Sequence, residues 1–254
     1  MFYLKQYKSP SDLINLLKSR GLVIYNDSKA INYIKRIGYY RLSAYFYPLL
    51  KNPKSLHSFK ESSTFDKALM IYRFDRQLRI LIFNQIEKIE IAVRSAIINI
   101  TSKETNNPFW LTDELCFAEI IPLGVLTRIY QNIKEFSIRK KIASEFGLNI
   151  PVFESWMTII TMTRNNCCHH ARIWNKTFGL RALTVRRMSH PWINTPVNHQ
   201  KIYFTLCIIK YFINIIVPNN DMTNKLSDLL IEYPEIDIRA MGFPQNWQDE
   251  DLWK

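Results

Sequence analysis

One run of residues limits the fold before any other feature does. Phe74, Leu78, Leu81, Ile82, Ile86, Ile89, Val93 and Ile97 recur at three- and four-residue steps, the period of an apolar face on an α-helix. The spacing predicts one long amphipathic helix over about residues 65–100. Glycine is scarce, with 6 among 254 residues. All-β folds draw on glycine for turns with positive φ, so the scarcity favours helices. No alternating strand pattern of useful length competes, and no internal repeat or low-complexity tract is visible. The expected fold class is all-α.

Other helix signals support this. Ser9-Pro10-Ser11-Asp12 offers an N-cap, a proline at the first helical position and an acid near the third, opening a helix that Arg20-Gly21 closes. Asp27 is placed to cap a second helix, with Ala30, Ile31 and Ile34 on its buried face and Gly38 near its end. An aromatic-rich stretch, residues 39–48, and a polar loop, residues 51–63, come next. Strong helices are expected over 154–168 and 198–217, and weaker ones over 122–135 and 220–232. Long helices with short connections read as a bundle. The expected organisation is an N-terminal helical extension over 1–60, the bundle over 61–218, and a C-terminal helical tail packed on it over 219–254.

Lys and Arg number 34 against 22 Asp and Glu, a formal net charge of +12. Such an excess suits a polyanionic partner, because each neutralised phosphate releases counterions, although solvated lysine faces give the same sign. Cys116, Cys167, Cys168 and Cys207 form no C-x-x-C pair, so free thiols are expected rather than a disulfide framework or a zinc site. The first residues lack a charged region followed by an apolar run. The most apolar segment, residues 202–217, is interrupted by Lys210 and Asn214 and reads as a buried helix rather than a membrane span. A cytoplasmic location is expected.

The densest chemical signal is Arg164-Asn165-Asn166-Cys167-Cys168-His169-His170-Ala171-Arg172-Ile173-Trp174-Asn175. Arginine supplies a permanent planar cation that matches phosphate oxygens, and histidine can move a proton near neutral pH. Those two capacities serve RNA cleavage without a metal, in which the 2′-hydroxyl loses a proton, the 5′-oxygen gains one, and charge on phosphorus is neutralised. On an unbroken helix, however, five residues turn by about 500° and rise ~7.5 Å, leaving the two side chains ~140° apart. Either the helix breaks inside the motif, or a second copy of the chain completes the site.

Arg164-x-x-x-x-His169 resembles the R-x4–6-H signature of the HEPN superfamily, helical bundles that include metal-independent dimeric RNases. The surrounding blocks extend the likeness. Ile37-Gly38-Tyr39-Tyr40-Arg41-Leu42-Ser43, Tyr72-Arg73-Phe74-Asp75-Arg76-Gln77-Leu78-Arg79, Ile86-Glu87-Lys88-Ile89-Glu90, the motif itself, and Met241-Gly242-Phe243-Pro244-x-x-Trp247 together resemble the Abi-like (abortive infection, AbiD/AbiF-type) family. The resemblance implies a HEPN-type bundle and an endoribonuclease toxin of anti-phage defence. Its partners would be RNA, a second copy of itself and an inhibitory RNA or protein. It implies catalytic roles for Arg164 and His169, with Asn165 as the polar orienting residue; His170 fits a looser register. Ala171 stands where a related group of HEPN toxins carries a modifiable tyrosine, so that regulation is not expected. A non-catalytic RNA- or protein-binding module on the same fold is the alternative.

Several groups have two readings. Glu87, Glu90, Arg94 and Arg172 are candidates to orient the motif, and Glu90 with Arg94 also has the spacing of a surface ion pair. Arg73, Arg76 and Arg79 are RNA-binding candidates or a solvated basic face. The aromatics of residues 39–47 could stack bases, but core and interface packing is the favoured reading. His190 and His199 lack metal-ligand spacing with His169 and His170, so neither a metal nor another cofactor is expected.

Overall fold

The structure, a computed structural model, describes residues 6–107, 121–184 and 187–254. Among the described residues there are nine α-helices, a few single 3₁₀ turns and no β-strand, only two isolated bridges. The fold is all-α. It comprises two compact units, Met1–Arg76 and Gln77–Lys254, and the division falls inside the longest helix.

The first unit holds α1 (Pro10–Ser19), α2 (Asp27–Ile37), α3 (Tyr39–Phe46) and the opening of α4 (Phe65–Thr105). Ser9 caps α1 through a reciprocal capping box with Asp12. The cap of α2 is Asn26 rather than Asp27: its extended backbone lets its side-chain oxygen accept the Lys29 N–H at 2.8 Å. Asp27 becomes the first helical residue and pairs with Lys18 at 2.7 Å. Thr64 receives the Lys67 N–H at the start of α4. Phe46, Phe59 and Phe65 meet edge-on or tilted in the core of this unit. Beside them the Tyr45 hydroxyl donates to the fully buried Asp75 at 2.6 Å. Tyr45 and Phe46 are therefore core residues, whereas Tyr40 is exposed.

The second unit continues with the rest of α4, then α5 (Leu123–Asn132), α6 (Phe136–Glu145), α7 (Ile150–Cys168), α8 (Ile202–Ile216) and α9 (Met222–Glu232). The apolar stripe of α4 is buried from Phe74 to Ile97, with only Leu81 half-covered. This helix ends five residues beyond the expected point, and α6 is a helix the periodicity did not announce. Its buried set is only Ile138, Ile142 and Ala143, too short a stripe to stand out among lysines and arginines. Cys116 lies outside the described residues.

At the centre of this unit is α7. Phe153 meets Tyr130 of α5 at 4.8 Å between ring centroids, and Trp156 meets Tyr211 of α8 at 5.2 Å. The Trp156 indole N–H donates to the Leu183 carbonyl at 2.7 Å, and the Leu183 N–H returns a bond to Ser155. This strap ties the irregular segment after the motif to the start of α7. The run Ile202 through Ile213 in α8 is buried on every side, as an all-round apolar helix must be. No helix among the described residues is long and apolar enough to cross a membrane.

The C-terminal turns close over α8. Phe243 packs on Tyr203, Trp247 on Trp253, and the Trp253 indole donates to the Tyr203 hydroxyl. Gly242 permits the approach: its φ is +92°, and a Cβ there would come 2.6 Å from Lys201 Cβ. Glu250, 8% exposed, accepts the backbone N–H groups of Asn194 and Thr195 at 2.6 and 2.9 Å. Burial opposes its ionisation, but these donors outweigh burial and hold the carboxyl below its ordinary value of 4.5. A depressed carboxyl contributes stability that is complete above its unfolded value and lost as pH falls through the folded one. Glu250→Gln is expected to lower stability at neutral pH by about 1–3 kcal/mol and to flatten the acid side of a stability-against-pH curve. Thermal unfolding across pH checks both; parallel curves for the two proteins would contradict this account.

Candidate functional site

The motif begins in the last turns of α7, which stays helical from Arg164 to its end at Cys168. The His169 N–H donates to the Asn165 carbonyl at 2.9 Å, so the hydrogen-bonded ladder reaches His169, which serves as the C-cap. His170 then takes a left-handed conformation with φ 54°, and the Ala171 N–H returns to the Asn166 carbonyl at 2.8 Å. Asparagines 165 and 166 thus neither cap nor interrupt the helix. The Asn166 amide donates to the Met162 carbonyl, and Lys176 donates to the Asn166 oxygen.

Unbroken geometry sends the two key side chains to different places. Arg164 lines a hollow of about 560 Å³ against α4, with Glu87, Glu90, Arg94 and Ser95 on an apolar floor that includes Phe83 and Ile91. Its Nε is buried and has no hydrogen-bond partner among the described residues. His169 and Asn165 line a separate groove of about 710 Å³ between α5 and α7, with Arg128, Gln131, Thr158 and Thr161. Of the two ways to reconcile the spacing, a break in the helix before His169 is ruled out.

The candidates for orienting the motif divide. Glu90 pairs with Arg94 at 3.0 Å, and both side chains are largely buried, so this i,i+4 pair is not a surface one. Arg94 also donates to the Ile121 carbonyl at 3.0 Å, which fixes its fork beside Arg164. Glu87 is exposed on the rim of the same hollow, and Arg172 is half-buried in the part of the motif that follows α7.

The basic run on α4 also divides. Arg73 and Arg76 are exposed, and Arg73 donates to the Tyr33 hydroxyl at 2.9 Å. Arg79 corrects the expectation of a solvated, RNA-facing residue. It is 5% exposed and donates to the Ala171 carbonyl at 3.3 Å, holding the turn that follows the motif. A guanidinium enclosed in this way is a strut and cannot receive a phosphate. Sequence reasoning also missed Arg128, an exposed cation in the His169 groove. Nothing in its local pattern marks it; only the packing of α5 on α7 brings it beside the motif.

His190 packs edge-on against Tyr211, and His199 stacks on Phe204 at 4.0 Å. Burial lowers the pKa of His199. Among the described residues no group of three or more His, Cys, Asp or Glu side chains is arranged to hold a metal ion. Of the thiols, Cys167 and Cys207 are buried and Cys168 is exposed.

The chain is an all-α protein whose densest polar motif closes the buried helix α7. Within it, residues 32–120 and 115–175, more than half of the chain, match the Abi-like protein family, and the chain belongs to that family. The matched region contains the blocks at 37–43, 72–79 and 86–90 and the motif at 164–175, and it ends before the block at 241–247. No curated protein and no solved structure matches the chain.

If Arg79 is the strut for the motif's exit, Arg79→Met should leave α7 folded while loosening the turn after it. Hydrogen exchange at His170 and Ala171 is then expected to accelerate at least tenfold with α7 amides upstream of Thr163 unchanged. Uniform acceleration along α7 would instead mean that Arg79 supports the whole helix.

Proposed function

We propose that this protein is a metal-independent endoribonuclease of the HEPN kind, acting in abortive infection, with each active site assembled from two copies of the chain. The observation that carries the reading is the division of the motif, with Arg164 in the α4 hollow and His169 in the α5–α7 groove. A two-fold pairing of motif ends supplies Arg164 from one copy and His169 from the other. Ile91, 61% exposed, and Phe83 beside Arg164 offer an apolar surface of the kind a homodimer covers.

The chemistry follows from the residue types. The RNA 2′-oxygen attacks the adjacent phosphorus as its proton leaves, the bond from phosphorus to the 5′-oxygen breaks, and that oxygen takes up a proton. The products are a 2′,3′-cyclic phosphate and a 5′-hydroxyl. His169 carries the proton, since an imidazole can both accept and donate near neutral pH. Arg164 neutralises the charge that builds on the phosphoryl oxygens. Asn165, on the same groove as His169, orients one of the reacting groups, and Arg128 holds a neighbouring phosphate. His170, exposed in its left-handed turn, is outside the reaction in this scheme. An inhibitory RNA or protein partner would keep the dimer silent until infection.

The test is incubation with total bacterial RNA in excess EDTA, followed by end-group analysis. Wild type should leave cyclic phosphate ends, and His169→Ala should lose on the order of 10²–10⁴ in rate, while His170→Ala stays active. Co-expressed Arg164→Ala and His169→Ala chains should recover about a quarter of wild-type activity, because half of random pairs are mixed and each mixed pair keeps one whole site. Failure to recover would sink the shared site. The same division of the motif also suits a non-catalytic RNA-binding module; intact RNA with the wild-type protein, together with salt-dependent RNA retention, would favour it.

Ile91→Glu provides an independent check of the pairing surface. It should yield a folded monomer by sedimentation that no longer cuts RNA; a dimer that cuts normally would place the interface elsewhere.

A further inference from the structure

Lys210 is a buried cation without a counter-charge. It sits on α8 with 3% of its surface exposed, and among the described residues no carboxylate lies within ion-pairing distance of it. Its ammonium donates one hydrogen bond, to the Asn220 side-chain oxygen at 3.0 Å. An ammonium has three donors and a full charge, and a buried charge is stable only when it is both paired and hydrogen-bonded.

Lys210 and its partner Asn220 line a hollow of about 480 Å³ between α8, the start of α9 and the C-terminal turns. That volume is within the range of small-molecule sites. Several neutral groups around it are already committed. The Asn220 amide donates to Asn214 at 2.9 Å and to the Val217 carbonyl at 3.0 Å, and the Asn214 amide to the Leu252 carbonyl at 2.9 Å. The Thr223 hydroxyl donates to the Trp253 carbonyl at 3.1 Å. Asp251, the only Asp or Glu side chain on the lining, is held by Lys254 at 2.7 Å. His190 stands on the same wall. The frame therefore leaves the Lys210 ammonium without a negatively charged acceptor. Water meets spare donors but supplies no charge.

We propose that this hollow binds a small anion whose phosphate or carboxylate oxygens complete the Lys210 ammonium. Burial alone lowers the Lys210 pKa, which agrees with a charge that has no partner until the anion arrives. The site is separate from the RNA-cleaving motif and does not depend on that reading. Binding there would tighten the C-terminal turns against α8 and so tie the stability of this part of the chain to a metabolite.

The experiment is thermal unfolding of the full chain titrated with inorganic phosphate and, separately, with acetate, each against chloride at matched ionic strength. At least one anion is expected to raise the unfolding midpoint saturably, by about 5–10 °C at a hundredfold excess over its Kd. Which anion saturates identifies the class of ligand. Lys210→Met should abolish the saturable rise, and any rise it retains belongs to another basic surface. Lys254→Glu, at an exposed position on the rim, keeps the test open if the first variant does not fold. It should raise the half-saturating concentration about threefold or more. A response to both anions no different from chloride, or a saturable rise equal in wild type and both variants, would overturn the proposal.

Discussion

An α-helix that keeps its hydrogen bonds cannot present residues five apart on one side. In this protein that constraint acts on α7, and the rest of the site is arranged around it. The helix is held straight by burial, with Phe153 and Trp156 enclosed by rings from α5 and α8. Its last backbone bond, from His169 to Asn165, carries the ladder to the end of the motif. Arg79 then fixes the exit through the Ala171 carbonyl. Core packing, a cap and a buried arginine thus combine to keep Arg164 and His169 apart within one chain.

The same separation gives α4 two different jobs. One stripe of it, including Leu78, Ile82, Ile86, Ile89 and Val93, is core. Around the helix, Ile80, Phe83 and Ile91 remain exposed, and the Glu90–Arg94 pair lies between the two faces. A largely enclosed ion pair is a costly way to gain stability, but it fixes the guanidinium in a single orientation, and Arg94 uses its second contact on the Ile121 carbonyl. The result is a charge-balanced wall beside Arg164, with the Arg94 guanidinium held in place.

Much of this was legible from residue order. The stripe of α4, the capping box at Ser9 and the all-round apolar character of α8 are local properties of the chain, and each became the helix that its pattern implied. The Arg164 to His169 spacing also said that the two cannot share a face of an unbroken helix, and they line separate hollows. What stayed hidden depends on contacts between segments distant in sequence. Arg79 reads as surface because its neighbours Arg73 and Arg76 are surface; only the return of the chain at Ala171 encloses it. Arg128 joins the His169 groove through the packing of α5 on α7. The cap at Asn26 rather than Asp27 turned on a backbone angle that composition does not specify.

The proposed site, with an arginine from one chain and a histidine from another, would also be a counting device. While most copies are apart, the number of complete sites rises with the square of the number of chains, as for any weak dimer. Doubling expression would then quadruple the output, and a modest surplus of free chain would separate silence from damage. On the proposed reading, in which unchecked RNA cleavage would harm the host, that steepness would require no sensor beyond the pitch of α7 itself.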